Sequence, residues 1–85
     1  MDNIKEPIRQ YVLNEFLPGE SPANLTNATP LRTSGILDSM GTLNLVSFLE
    51  QTFGIVIDAH ETGVENFDTV DAIAALVARK MNTPV

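Results

Sequence analysis

Apolar residues return at helical spacing in three stretches of this chain and lose that rhythm between them. In the first stretch Ile4, Ile8, Tyr11, Val12 and Phe16 share one face. Asn3 is placed to cap this helix, with Glu6 three positions on to complete a capping pair. Pro7 falls in the first turns, where its missing N–H matters least, and Pro18-Gly19 stops the helix. The second stretch, SMGTLNLVSFLEQTF from Ser39, aligns Leu45, Val46, Leu49 and Phe53, with Phe48 widening the stripe and Gly54 following as C-cap. The third begins after Thr69 as N-cap and turns Val70, Ile73, Ala74, Val77 and Met81 inward, with Arg79 and Lys80 at the negative end of the helix dipole.

The segments between these helices read differently. Residues 18–37, PGESPANLTNATPLRTSGIL, hold three prolines and many small polar residues, which predicts a long ordered loop pinned to the core by Leu25, Leu31, Ile36 and Leu37. Loops of this length are uncommon in small domains and are often functional. IVID after Gly54 is rich in β-formers, yet no second strand-like run exists to pair with it. The stretch that follows is broken by Gly63 and has room for one short helix within residues 59–66. The expected fold class is all-α: a small four-helix bundle of three longer helices and a short third one, with the long loop between the first and second.

Composition narrows the picture. With 85 residues, 44% hydrophobic and 19% charged, the chain is expected to form one globular domain over residues 1–85. It contains no cysteine, so neither disulfides nor thiolate metal sites are available. The start, MDNIKEPIRQ, lacks the pattern of a signal peptide, and no run approaches the roughly 18 apolar residues of a membrane span. A cytoplasmic monomer without membrane insertion is expected.

The net charge of −6 is unevenly spread. The bases are Lys5, Arg9, Arg32, Arg79 and Lys80, so positions 33 to 78 contain none, while Asp38, Glu50, Asp58, Glu61, Glu65, Asp68 and Asp71 fall within that span. Such a segment repels phosphate backbones, which argues against nucleic acid, and attracts basic protein surfaces.

Candidate chemistry concentrates in GILDSMGT, residues 35–42. Asp38 is placed as N-cap of the second helix, able to accept from the N–H of Met40 or Gly41, and Ser39 is the first helical residue. A phosphate esterified to Ser39 would stand near the positive end of the helix dipole. On the residues alone, two polar residues at a helix start remain the commoner meaning of this pair. Sharper readings fail. His60 is the sole histidine and the G-x-S-x-G elbow is missing, which opposes a hydrolase triad with Ser39. The run from Asp58 to Gly63 has the glycine of a calcium loop, but His60 and Thr62 replace oxygen-rich ligands and Thr69 stands where a bidentate Glu is needed.

The order of helix, long loop, GILDSM, LxLVxFLEQTFGI and NFDTVDAIAAL resembles the acyl carrier protein family over nearly the whole chain. In that family an Asp-Ser-Leu or Asp-Ser-Met motif carries 4′-phosphopantetheine on the serine. The resemblance implies that Ser39 is the attachment site, modified from coenzyme A by a phosphopantetheinyl transferase that reads Asp38. It also implies that the arm supplies the thiol for thioesters that this cysteine-free chain lacks, and that the protein itself is no enzyme. Met40, Leu43 and Ser47 would then face partners near the arm, with Glu50 on the same docking helix. Carriers of fatty-acid synthesis bear several acids on this helix, whereas Gly41, Asn44 and Gln51 stand here in their place, so electrostatic docking should be weaker and the partners different. Asp-Ser-Met-Gly-Thr also resembles D-alanyl carrier proteins. The Gly-Gly-His-Ser signature of peptidyl carriers is missing.

The expected function is a discrete acyl carrier presenting thioesters to acyl-processing enzymes of fatty-acid-like or specialised biosynthesis, after loading by a ligase. An aminoacyl carrier of D-alanyl type is the alternative, and an unmodified helical interaction module is the alternative from another class.

Overall fold

The computed structural model describes residues 2–82. Four α-helices follow in order: α1 (Asp2–Phe16), α2 (Ser39–Phe53), α3 (Val64–Phe67) and α4 (Val70–Asn82), with 3₁₀ turns at Pro22–Asn24 and Ala59–Glu61. Among the described residues no strand forms. Helix α4 packs on α1 and α3, and α2 closes on both α1 and α4. The small all-helical bundle expected from the hydrophobic spacing is the architecture observed.

The buried side chains converge from every element. Ile8, Val12 and Leu13 come from α1, Leu45 and Leu49 from α2, Phe67 from α3, and Val70, Ile73, Leu76 and Val77 from α4. The long loop contributes Leu25, Leu31 and Leu37, all buried, with Ile36 partly covered. Full burial of one such leucine stabilises by about 1.5–3 kcal/mol, which holds a loop without regular structure against the core. The segment after Gly54 is extended rather than paired: Ile55 and Ile57 are buried while Val56 between them is exposed.

Aromatic packing joins α1 to α2. Tyr11 stacks on Phe48 with ring centroids 4.3 Å apart, and Phe16 meets Tyr11 edge-on at 6.0 Å. Gly41 allows the approach of Phe16. A Cβ at this position would stand 2.7 Å from Phe16 Cε1 and 3.1 Å from Asp38 Oδ1. A side chain at position 41 would therefore have to displace the Phe16 ring.

Four local expectations are corrected. Helix α1 begins at Asp2, so Asn3 lies inside it rather than capping it. Glu6 works within an established helix, accepting from Gln10 Nε2 at 3.1 Å and lying 4.0 Å from Arg9 Nε. Pro7 is likewise inside the helix, where it forfeits one hydrogen bond to the carbonyl four residues back. The single short helix expected within residues 59–66 is instead a 3₁₀ turn and a separate helical turn that runs on to Phe67. Gly63 is the extended N-cap between them, and burial of Phe67 anchors the second piece. Met81 is 51% exposed, because the last turn of α4 runs past the core that ends at Val77. Leu13 and Leu76 join the core without having been placed there by the spacing.

The expected caps of α2 and α4 form. Gly54 is left-handed at φ +67° and its N–H donates to Glu50 O, while Thr69 Oγ1 accepts from Ala72 N–H at 3.0 Å. The corner between α3 and α4 also ties down the long loop. Asp71 N–H donates to Asn27 O at 3.0 Å and Leu31 N–H to Asp68 O at 2.6 Å. Asp68 Oδ1 accepts the N–H groups of Arg32 and Thr33, each at 2.9 Å, and the Thr33 hydroxyl at 3.1 Å.

Bonding to Thr33 N–H, with the Thr33 hydroxyl and the N–H groups of Arg32 and Leu31 behind it, lowers the Asp68 pKa against the opposing effect of burial. A carboxyl depressed in the folded state contributes stability that is present above its unfolded value, about 3.9, and is lost as pH falls through the folded value. The urea midpoint should therefore drop below about pH 4. Asp68→Asn should be less stable at pH 7 and show a shallower acid limb; parallel limbs for the two proteins would refute the clamp. Gly41→Asp should destabilise by about 1–3 kcal/mol by driving into Phe16, and Gly41→Ala by less, since alanine recovers about 1 kcal/mol of helix propensity. Equilibrium unfolding of both variants checks this, and an unchanged midpoint for the aspartate would contradict it.

Candidate functional site

The approach to α2 is built by a closed turn. Leu37 N–H donates back to Leu31 O at 2.8 Å and Gly35 N–H to Arg32 O at 3.2 Å. Gly35 has φ +87°, a conformation that side chains disfavour. The Ser34 hydroxyl donates to Pro30 O at 2.6 Å. With Leu31 and Leu37 buried at either end, the turn delivers Asp38 to the start of α2 in one position.

Asp38 then sets the first turn. Its backbone is extended, at φ −86° and ψ −172°, and Oδ1 accepts Gly41 N–H at 2.7 Å. Its carbonyl accepts Thr42 N–H at 2.9 Å and the hydroxyl of the buried Thr42 at 2.8 Å. A carboxylate bonded to the free N–H groups of a helix start stabilises by about 0.5–2 kcal/mol. Ser39 is the first residue of α2 and is exposed. Among the described residues its hydroxyl makes no hydrogen bond, so the cap satisfies the helix without it.

Ser39 opens onto a cleft of about 190 Å³ lined also by Arg32, Thr42, Leu43 and Thr62. The Arg32 guanidinium crosses from the loop to Thr62, where Nη1 donates to the carbonyl at 2.8 Å. Nothing in the local pattern marks Arg32, Thr42 or Thr62 as neighbours of Ser39. One signal was present, since Arg32 is the sole base between Arg9 and Arg79. A larger open groove of about 480 Å³, between α1 and residues 23–27, touches none of the predicted site residues.

Beyond Ser39 the exposed face of α2 is apolar and then polar. Met40 is 68% exposed and Leu43 61%, and Ser47 lies one turn further on, also exposed. Glu50 is set apart from them. It is half-buried, and its Oε2 accepts Ile57 N–H at 2.9 Å, fixing the extended segment after the helix. His60 makes no hydrogen bond to Ser39. It sits with Asp58 and Glu61, whose ligand atoms and its own fall within 4.8 Å of one another. The Lys80 ammonium occupies that acidic pair, 2.6 Å from Glu61 Oε1 and 3.9 Å from Asp58 Oδ2. Hydrogen bonding from Lys80 and from Asp58 N–H holds the Glu61 carboxyl below its ordinary pKa.

No protein-family model matches this chain. Individual proteins do. The chain is 34% identical over 76 residues to "Probable acyl carrier protein PigG" of Serratia sp. (strain ATCC 39006), an alignment covering 89% of this chain and 86% of that one. It is 39% identical over 80 residues to the D-alanyl carrier protein of Streptococcus suis (strain 98HAH33), covering 94% of this chain and 98% of that one. The D-alanyl carrier protein of a second Streptococcus suis strain, 05ZYH33, gives the same identity and coverage. A four-helix chain that aligns almost end to end with these proteins, and that places an exposed serine behind a capping aspartate at the start of α2, belongs to the carrier-protein family of acyl and D-alanyl carrier proteins.

Proposed function

We propose that this chain is a single carrier domain whose Ser39 bears a 4′-phosphopantetheine arm, on which acyl groups are held as thioesters and shown to partner enzymes. The observation that carries this reading is the placement of Ser39. It is exposed at the first turn of α2, and the cap beside it is complete without its hydroxyl. Esterification would remove no bond from the fold. The surroundings suit a phosphodiester: free N–H groups at the helix start, the Arg32 guanidinium in the adjoining cleft, and room at the surface.

When attached, the arm supplies a terminal thiol, which a chain without cysteine cannot. The chain's own residues position and present it. Asp38 holds the turn on which Ser39 stands and offers the modifying transferase a carboxylate at a fixed angle. Met40 and Leu43 give partners an exposed apolar contact beside the attachment point, and Ser47 continues it. Exposed methionine adapts to differently shaped partner surfaces. The face lacks acids at positions 44 and 51, so recognition rests on apolar contact more than on charge steering. A phosphopantetheinyl transferase, a loading ligase and acyl-processing enzymes in the cytoplasm are the partners this reading calls for. An aminoacyl cargo is the second reading, favoured by the D-alanyl carrier proteins that match 94% of the chain.

Incubation with coenzyme A and a broad-specificity phosphopantetheinyl transferase should add one phosphopantetheinyl group to the wild type and none to Ser39→Ala, read by intact mass. A folded wild type that gains nothing from several transferases, or a Ser39→Ala protein that gains as much, would overturn the reading. On the loaded protein, Met40→Ser with Leu43→Ser should slow acyl or aminoacyl transfer by partner enzymes about tenfold, the effect of losing ~1.4 kcal/mol at a contact residue. The melting temperature should hold, because both side chains are exposed. Unchanged transfer kinetics would remove this face from docking.

A further inference from the structure

Arg32 is placed unlike most of the other bases. Lys5, Arg9 and Lys80 each lie within 4.0 Å of a carboxylate oxygen. Among the described residues the Arg32 guanidinium has no carboxylate at that distance, although the chain has eleven acids. Its position is nevertheless fixed at both ends. The backbone N–H is held by Asp68 Oδ1 at 2.9 Å, and Nη1 donates to Thr62 O at 2.8 Å. A half-buried guanidinium held in this way keeps further N–H donors of its planar fork, and Arg32 lines the same cleft as Ser39.

The other polar groups of that cleft have already committed their protons. Thr42 Oγ1 donates to Asp38 O at 2.8 Å and Thr62 Oγ1 to Ala59 O at 2.8 Å. Leu43 forms an apolar wall. Arg32 is therefore the charged donor of the cleft, and its geometry matches two oxygens of a phosphate. We propose that Arg32 seats the phosphodiester joining the prosthetic arm to Ser39, so that the root of the arm lies along the cleft between the loop, α2 and residue 62 instead of turning freely in solvent. This rests on the reading of Ser39 as the attachment site.

The test uses the full chain loaded from coenzyme A by a transferase, with intact mass confirming one phosphopantetheinyl group on the wild type and none on Ser39→Ala. Phosphorus NMR of the folded wild type should give a phosphodiester resonance displaced from that of the same protein unfolded in urea. In folded, loaded Arg32→Gln the resonance should move to the unfolded position, and Arg32→Lys should fall between. The Arg32 Nε–H signal of the wild type should shift between the unloaded and loaded forms, a readout that needs no variant to fold. Coincident phosphorus resonances for folded and unfolded wild type, together with an unmoved Arg32 signal, would overturn the seat while leaving Ser39 loading intact. Absence of loading on Ser39 would overturn both.

Discussion

The bond network around Asp68 is the constraint on which the site depends. Its backbone carbonyl and its carboxylate accept from Leu31, Arg32 and Thr33, so the corner between α3 and α4 grips the loop that leads into α2. A loop with no regular structure has no ladder to satisfy its N–H groups, and each one left bare where it is buried would cost about 1–3 kcal/mol. The carboxylate meets that need for consecutive residues. Because the loop is fixed there, Leu31 and Leu37 reach the core, the turn between them closes, and Asp38 arrives at one position at the head of α2.

Helix α2 is divided between two tasks by its faces. Gly41, Leu45, Phe48 and Leu49 meet α1 and the core, with the Phe16 ring close enough to Gly41 that a side chain there would have to displace it. The outward face keeps Ser39, Met40, Leu43 and Ser47 accessible. Glu50 belongs to neither surface fully, since its carboxylate closes the connection to Ile57. The departures from an acidic docking helix thus have different origins. At position 41 the Phe16 ring and the Asp38 carboxylate crowd an acidic side chain, whereas Asn44 and Gln51 are exposed and nothing in the packing opposes an acid at either place.

Charge is arranged in the same spirit. Glu61 and Asp58 are met by Lys80, and Asp71 by Lys5, so part of the acidic surplus is absorbed in local pairs at the edges of the bundle. Exposed pairs of this kind contribute little stability individually. Arg32 stands apart because its guanidinium donates to the Thr62 carbonyl while its own backbone N–H is held by Asp68 Oδ1, contacts that orient the side chain without pairing its charge with a carboxylate.

Hydrophobic spacing determined the three longer helices and most of the inward face of each, and the polar and glycine residues at their ends determined the caps at Asp38, Gly54 and Thr69, because these rest on contacts within a few residues of one another. The family too was legible, through the resemblance carried by the whole order of helix, long loop, GILDSM, LxLVxFLEQTFGI and NFDTVDAIAAL. Boundaries that depend on distant partners were not legible. Met81 continues the stripe of α4 yet is half exposed, and the short helix before Asp68 is set by where Phe67 can be buried. Only the tertiary structure joined residue 32 to residues 39 and 62, gave Glu50 to the Ile57 N–H, and set the Phe16 ring against Gly41. Those relations are hydrogen bonds and close contacts between segments far apart or out of register in the chain, and no periodic pattern encodes them.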